Sequence, residues 1–421
     1  HDDPIFQTPD FWLMPSETWT QKHGDCLLPD TPLVVKHGTA LPEIVEVADL
    51  VPSDYNINEK YYPSDNIYIL AGHHRDGRFS SAKFYKINWL IKKKSSKPVY
   101  RINSGKSIID VTSDHLLLTR KDSGYGREWI TAEEASEKEK KITVFRNISK
   151  VFANSYRVDP DFAWVLGLFV AEGYTSHHKS IWRLYNTDGK VIDRAVDILN
   201  DIDWHNKVGI RTLEFEVKEY DCFKEGVKTN KGKRNKRLLV IQAKTRTRGM
   251  LRKFCRWFRN MTYTRLGNKK VPPIILNASK EAKKAFIDGF NIGDGLTTTS
   301  KILAFGLAVL GESVGIELRV HDHKKNFELN QQKTNIRVRK TKRVIRKIAD
   351  GKERIVYDLN VDNPHIFVAG DIYVHNCEDS SFLATSAIEG FIRNSVIRDA
   401  KVYAVIGFYY DSIHRKYYGH G

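Results

Sequence analysis

Cysteine is scarce. Four occur in 421 residues, Cys26, Cys222, Cys255 and Cys377, too few and too scattered for a disulfide framework, and no two stand at the C-x-x-C spacing of a zinc site. Long apolar runs are missing too. No stretch approaches the roughly 20 residues that a membrane span needs, so a soluble chain with no membrane partner is expected. The opening His1-Asp2-Asp3-Pro4 lacks the basic start and apolar stretch of a secretory signal, which makes a cytoplasmic location the expectation. Acid is in deficit: 51 Asp and Glu face 68 Lys and Arg, a net charge of +17. Counterion release rewards each phosphate that a cation neutralises, so the surplus favours nucleic acid as partner; a merely solubilising basic surface is the alternative.

What is present suffices for ordinary cores, with 41% hydrophobic residues, and the length suggests two or three compact units. From Cys26 to about Phe152, short β-branched runs such as Leu33-Val34-Val35, Ile67-Tyr68-Ile69-Leu70 and Ile108-Ile109-Asp110-Val111 alternate with turns, an all-β pattern. From about Ala153 the pattern changes to helices and hairpins, beginning with the apolar stretch Phe162 to Ala171. Alternating Leu213, Phe215 and Val217, then Leu238 to Ile241, predict a hairpin whose tip, Lys228 to Arg237, is strongly basic. Strand-like segments return at Ile355-Val356-Tyr357 and His365 to Ala369. Neither end of the chain, 1–25 or 377–421, can bury a core alone, yet joined they could begin one domain. Cys26 and Cys377 both adjoin polar, turn-like stretches, which suits reactive thiols better than buried ones.

Those two cysteines mark junctions. Cys26-Leu27-Leu28-Pro29-Asp30-Thr31-Pro32-Leu33 and Val374-His375-Asn376-Cys377 resemble the ends of inteins. Thr112-Ser113-Asp114-His115 resembles the family's internal T-x-x-H motif, and Val356-Tyr357-Asp358-Leu359 with His365 to Gly370 its last β segments. The resemblance implies autocatalytic splicing without cofactor. Cys26 attacks the Asp25 carbonyl to make a thioester, with His115 protonating the leaving nitrogen and Thr112 fixing geometry. Cys377 takes over the N-terminal segment, its thiol tuned by Asp358. Asn376 then cyclises, assisted by His375 and His365, and an S-to-N shift joins the flanks. The Asp25 carboxylate could attack the adjacent thioester, so some side cleavage at that junction is expected.

Leu166-Gly167-Leu168-Phe169-Val170-Ala171-Glu172-Gly173 and Ile287-Asp288-Gly289-Phe290-Asn291-Ile292-Gly293-Asp294-Gly295 resemble two copies of the LAGLIDADG motif of homing endonucleases. Small residues let two helices lie side by side, which implies that Glu172 and Asp294, 122 residues apart, meet at shared C-terminal ends. The paired carboxylates would bind Mg²⁺, the cofactor implied for cutting double-stranded DNA at the intein-less insertion site. Lys270, before Val271-Pro272, is the candidate for an assisting lysine. Phosphate contacts are expected from Lys228, Lys231, Lys233, Arg234, Lys236 and Arg237, with Lys244, Arg246 and Arg248. Gly293 stands where the motif usually has alanine.

The resemblance therefore implies an all-β Hedgehog/intein (Hint) horseshoe built from 26–153 and 338–376, with an inserted α+β LAGLIDADG endonuclease at 154–337. The flanks 1–25 and 377–421 would be host (extein) segments acting in cis, and the two motif copies in one chain imply a monomer. Joined, His23-Gly24-Asp25-Cys377-Glu378-Asp379 resembles the nucleophile region of transglutaminase-like cysteine peptidases, with His420 as a candidate partner. The competing reading is a DNA-binding protein whose Hint-like part does not splice, or only cleaves.

Overall fold

A computed structural model describes residues 26–75, 78–122, 126–220, 238–323, 325–331, 344–361 and 366–375, with side chains throughout except at 73–75 and 78–82. The first part is nearly all strand: β1 (Pro32–His37), β2 (Glu43–Glu46), β3 (Lys60–Tyr61), β4 (Ile67–Arg75), β5 (Arg78–Ser95), β6 (Val99–Asn103), β7 (Ile108–Thr112), β8 (Leu116–Arg120) and β9 (Arg127–Thr131). A short helix, α1 (Ala132–Glu137), follows. Thr131 starts it, its hydroxyl accepting from the Glu134 amide, a common N-cap. The sequence pattern did not foretell it, because six residues show no periodicity.

The middle part mixes helices and small sheets. In order come α2 (Pro160–Glu172), β10 (Gly173–Ser176), β11 (Ile181–Asn186), α3 (Gly189–Asp201), α4 (Trp204–Val208), β12 (Glu214–Tyr220), β13 (Leu238–Lys244), α5 (Arg248–Thr262), α6 (Pro273–Leu276), α7 (Lys280–Asp294), β14 (Thr297–Thr298), α8 (Lys301–Val314), β15 (Leu318–Asp322) and β16 (Phe327–Gln331). Strands then resume: β17 (Val344–Ala349), β18 (Arg354–Val361), β19 (Ile366–Ala369) and β20 (Ile372–His375).

The returning strands do not form a sheet of their own. They pair with the first ones, antiparallel throughout, in the order β18-β5-β4-β1-β19-β20-β8-β9, while β17 adds to β6 and β7. The middle part is thus an insertion between strands of one antiparallel framework. Its own sheets run β10-β11-β13-β12 and β14-β16-β15. The expected hairpin is present, with Tyr220 opposite Leu238 closing β12 onto β13; its basic tip, Lys228, Lys231, Lys233, Arg234, Lys236 and Arg237, lies outside the described residues.

Two cores hold this together. One is aliphatic and lies inside the framework, around Leu33, Val35, Leu90, Ile109, Val111 and Val374. The other runs through the insertion and across the seam to Ile44, Leu70 and Val368 of the framework. Under the four-stranded sheet it is aromatic: the Phe169 ring stacks on Trp182 at 5.0 Å and meets Phe258 edge-on at 4.5 Å, contacts worth about 0.5–1.5 kcal/mol each beyond burial.

Candidate functional sites

The first site forms where the chain is first described. Leu27 bridges Tyr357 on one side and Val111 on the other, both antiparallel. Its amide donates to Tyr357 at 2.7 Å and it accepts one back at 2.8 Å. One residue earlier, Cys26 therefore sits between Asp358 of β18 and Thr112 of β7. The Thr112 amide donates to the Cys26 carbonyl at 3.1 Å, and the Cys26 amide to the Thr112 hydroxyl at 3.4 Å.

The Thr112-Ser113-Asp114-His115 segment is a tight turn closed by the His115 amide donating to the Thr112 carbonyl at 3.1 Å. Lys97 pairs with Asp114 to brace it, and the His115 side chain is fully buried. The next residues start β8, whose Leu117 pairs with Val374 of β20. His375, the last residue of β20, accordingly lies level with Leu116 and next to the turn, its ring edge-on to Trp129 at 5.3 Å. Asp358 is buried, with Lys93 at 3.4 Å from its carboxylate.

Five predicted residues, Cys26, Thr112, His115, Asp358 and His375, thus converge from segments far apart in sequence. His365, Asn376 and Cys377 lie outside the described residues. One expectation is corrected. Cys26 is not an exposed thiol but only 4% exposed, because both of its neighbouring strands close over it. Cys255 is also buried, and burial pushes its thiol up to about 11, which fits a packing role.

The second site is made by α2 and α7. Asp159 caps α2 through the Asp161 amide, with Pro160 in the first turn; Ser279 caps α7, and Gly295 ends it at φ 60°. Their contact is reciprocal. A Cβ on Gly167 would stand 2.0 Å from the Phe286 carbonyl oxygen, and one on Gly289 would stand 2.1 Å from that of Trp164. Both pairs repeat after 122 residues, as Glu172 and Asp294 do, so the helices are related by a local twofold. Only glycine permits this approach.

The acid ends are equally close. A Cβ on Gly293 would fall 2.4 Å from Ala171 Cβ and 3.0 Å from Glu172 Cγ. The departure from alanine at 293 is therefore fitted to the alanine opposite it. Glu172 is half-buried and Asp294 exposed.

The lysine beside the acids is Lys269, not Lys270. Lys269 donates to the Ala171 carbonyl at 2.8 Å. Burial pulls its ammonium down to about 8, against the opposing attraction of Asp294 and Glu172. Lys270 faces the other way and lies 3.7 Å from Glu43. An isolated antiparallel bridge pairs Lys269 with Tyr263, and nothing in the local sequence signals which of the two lysines faces the acids.

Among the described residues no cluster of three or more His, Cys, Asp or Glu could hold a metal. Two carboxylates with an open side suit instead a hard cation that keeps waters and takes phosphate oxygens. Outward from the acids runs the free face of the four-stranded sheet. Tyr174, Arg183, Gln242 and Glu216 lie in one row across it, and Gln242 donates to Tyr220 at 3.0 Å. Sequence reasoning passed over Arg183 and Gln242, although the alternation of Trp182 and Leu184 with Arg183 and Tyr185 marks the outward set. Lys244, Arg246 and Arg248 are exposed beside it, Lys244 already paired with Glu216. A cleft of about 1020 Å³ opens between framework and insertion, lined by His37, Glu43, Tyr61, His177 and Arg259; neither Cys26 nor the two acids line it.

No protein-family model matches the chain. A DNA polymerase of Acanthamoeba polyphaga mimivirus is 23% identical over 86% of the chain, but the match spans 21% of that protein. Transcription initiation factor IIB of Methanocaldococcus jannaschii is 22% identical over 72% of the chain and 39% of its own length. The replication factor C small subunit of the same organism is 26% identical over 63% and 14%. The chain thus spans well under half the length of these relatives. Solved structures similar to it include the homing endonuclease I-DmoI in complex with DNA and Mn, 16% identical over 41% of this chain and 89% of that one, with a TM-score of 0.28. The TvoVMA intein is 21% identical over 28% and 69%, with a TM-score of 0.20.

Proposed function

We propose that this chain is an intein precursor: a Hint-type splicing framework at 26–153 and 338–376, a LAGLIDADG endonuclease inserted at 154–337, and host segments outside 26–376. What carries the reading is the placement of Cys26 between Thr112 and Asp358, with His115 and the end of β20 at the same turn. An amide bond breaks only if a nucleophile, a proton donor and an exit are held together. The Cys26 thiol attacks the Asp25 carbonyl, and His115 gives its proton to the departing nitrogen. Thr112 fixes the backbone at that bond. Cys377 takes over the acyl group with Asp358 tuning its thiol. Asn376 cyclises to a succinimide with His375 and His365 assisting, which breaks the Asn376–Cys377 bond and frees the Cys377 amine. An S-to-N shift then leaves Asp25 joined to Cys377.

Three curated relatives carry three unrelated names yet match over a minor share of their own length. That pattern supports a segment that moves between hosts rather than a shared host activity. The transglutaminase-like host rests on the joined sequence alone.

For the insertion, the reciprocal helix pair supports site-specific cutting of double-stranded DNA by a monomer. Glu172 and Asp294 would hold Mg²⁺, which when bound supplies charge neutralisation and an activated water. Lys269, beside the two acids, would hold or move a proton at the attacked phosphate, and Arg183, Gln242, Lys244, Arg246 and Arg248 would meet the duplex.

Intact mass of the purified chain, followed over time with and without thiol and warming, tests the first activity. A joined 1–25/377–421 product with free 26–376 is expected. A chain that stays whole under every condition overturns splicing and leaves the DNA-binding reading. Metal-dependent cutting of a duplex encoding the joined junction tests the second.

A further inference from the structure

The first turn of α8 belongs to the insertion but reaches into the framework. Lys301 is 6% exposed, and its ammonium lies 2.7 Å from Asp30 and 2.6 Å from Asp110. Both carboxylates are framework residues. Asp30 follows Cys26 by four positions, and Asp110 precedes Thr112 by two on β7. Asp110 also takes two 2.8 Å bonds from Arg101, and Arg101 reaches Asp322 of the insertion at 3.4 Å. Acid and base alternate across the seam.

The backbone explains why this matters to the Cys26 site. The Leu28 amide donates to the Asp110 carbonyl at 3.0 Å, and the Thr112 amide to that of Cys26 at 3.1 Å. Asp30 and Asp110 thus sit on the two segments whose register puts Cys26 against Thr112. Two carboxylates sharing one cation repel once it is removed, and Asp110 is too buried to be relieved by water. Next to Lys301, the Ser300 hydroxyl donates to the Lys269 carbonyl at 2.7 Å, so adjacent residues serve the two sites.

We propose that Lys301, though part of the inserted module, is a positioning residue of the splicing site: it clamps Asp30 to Asp110 and so holds the Cys26 segment in register with β7. The inference rests on the splicing reading above. Its consequence is that deleting the insertion removes the cation shared by Asp30 and Asp110 and leaves Arg101 alone to serve Asp110.

The test compares Lys301→Met with the parent in the full chain. Thiolysis of the Asp25–Cys26 bond, measured in an Asn376→Ala background, should slow about 10-fold or more, whereas cleavage after Asn376, measured in a Cys26→Ala background, should stay within about 2-fold. Amide exchange should quicken in peptides covering 26–31 and 108–113 but not in 160–172. Adding Asp30→Asn removes the repulsion, since Arg101 still serves Asp110, and should restore thiolysis to within about 3-fold of the parent. Unchanged thiolysis and exchange in Lys301→Met overturn the proposal, and so does an equal fall in both cleavages. If Lys301→Met unfolds the chain, the Lys301→Met/Asp30→Asn variant decides, and its failure to fold or to thiolyse sinks the clamp. A parent chain that neither splices nor thiolyses refutes the splicing reading instead, and exchange at 26–31 then tests the clamp alone.

Discussion

The site proposed in the framework is buried and the one proposed in the insertion is open. Cys26, Thr112, His115 and Asp358 are all under 5% exposed, whereas Asp294 stands open at the end of its helix. A reaction on the chain's own backbone has its substrate built in, so exclusion of water costs no access. A site that acts on another molecule must stay open to it. Construction differs in the same way: the first site is knitted from strands distant in sequence, the second from one helix motif used twice.

The largest expected effect is a clean exchange of activities. Cys26→Ala should abolish thiol-dependent cleavage and leave DNA cutting intact, and Glu172→Gln should do the reverse, with both activities read on each preparation. Loss of both from either change would erase the contrast.

Next comes the helix contact. Gly289→Val forces α2 and α7 apart and should cost about 3 kcal/mol or more, seen as a lower denaturant midpoint together with lost cutting. Full retention of cutting would show that the acids need no close approach.

Smaller still is Lys269→Met, expected to slow cutting by about 10–100-fold. With its ammonium held near 8, the parent's cutting rate should change through that pH and the variant's should not. An identical pH profile in both would remove Lys269 from the reaction.

The smallest effect concerns the seam. Glu46, on β2, is fully buried and accepts from Asn268 of the insertion at 2.7 Å. Burial raises its carboxyl from 4.5 to about 7. Between those values the folded chain holds a proton that the unfolded one has lost, so stability falls as pH rises through that window. Glu46→Gln should therefore stabilise by on the order of 1–3 kcal/mol at pH 8, with the gain shrinking to nothing near pH 4. A gain of equal size at both would assign it to packing.

What the sequence disclosed follows the same division. The T-x-x-H turn and the paired helix motifs were legible because their residues are local. The strand pattern marked β18 and β19, while Asp358 was singled out by the resemblance of Val356-Tyr357-Asp358-Leu359. Burial of Cys26 was not legible, since it comes from strands some 85 and 330 positions away, 112 and 358. The face taken by Lys269 is set by how its turn pairs with Thr262, Tyr263 and Thr264, which the local sequence does not show. Lys301 looked like any helix-start lysine, because its partners lie across a seam that only packing creates.

The twofold between α2 and α7 is exact neither in chemistry nor in size. One helix ends in Glu172 and the other in Asp294, and among the described residues one half carries four strands where the other carries three. A pair of identical halves can read only a palindrome. Under the proposed function, unequal halves fused in one chain would read an address that differs left from right.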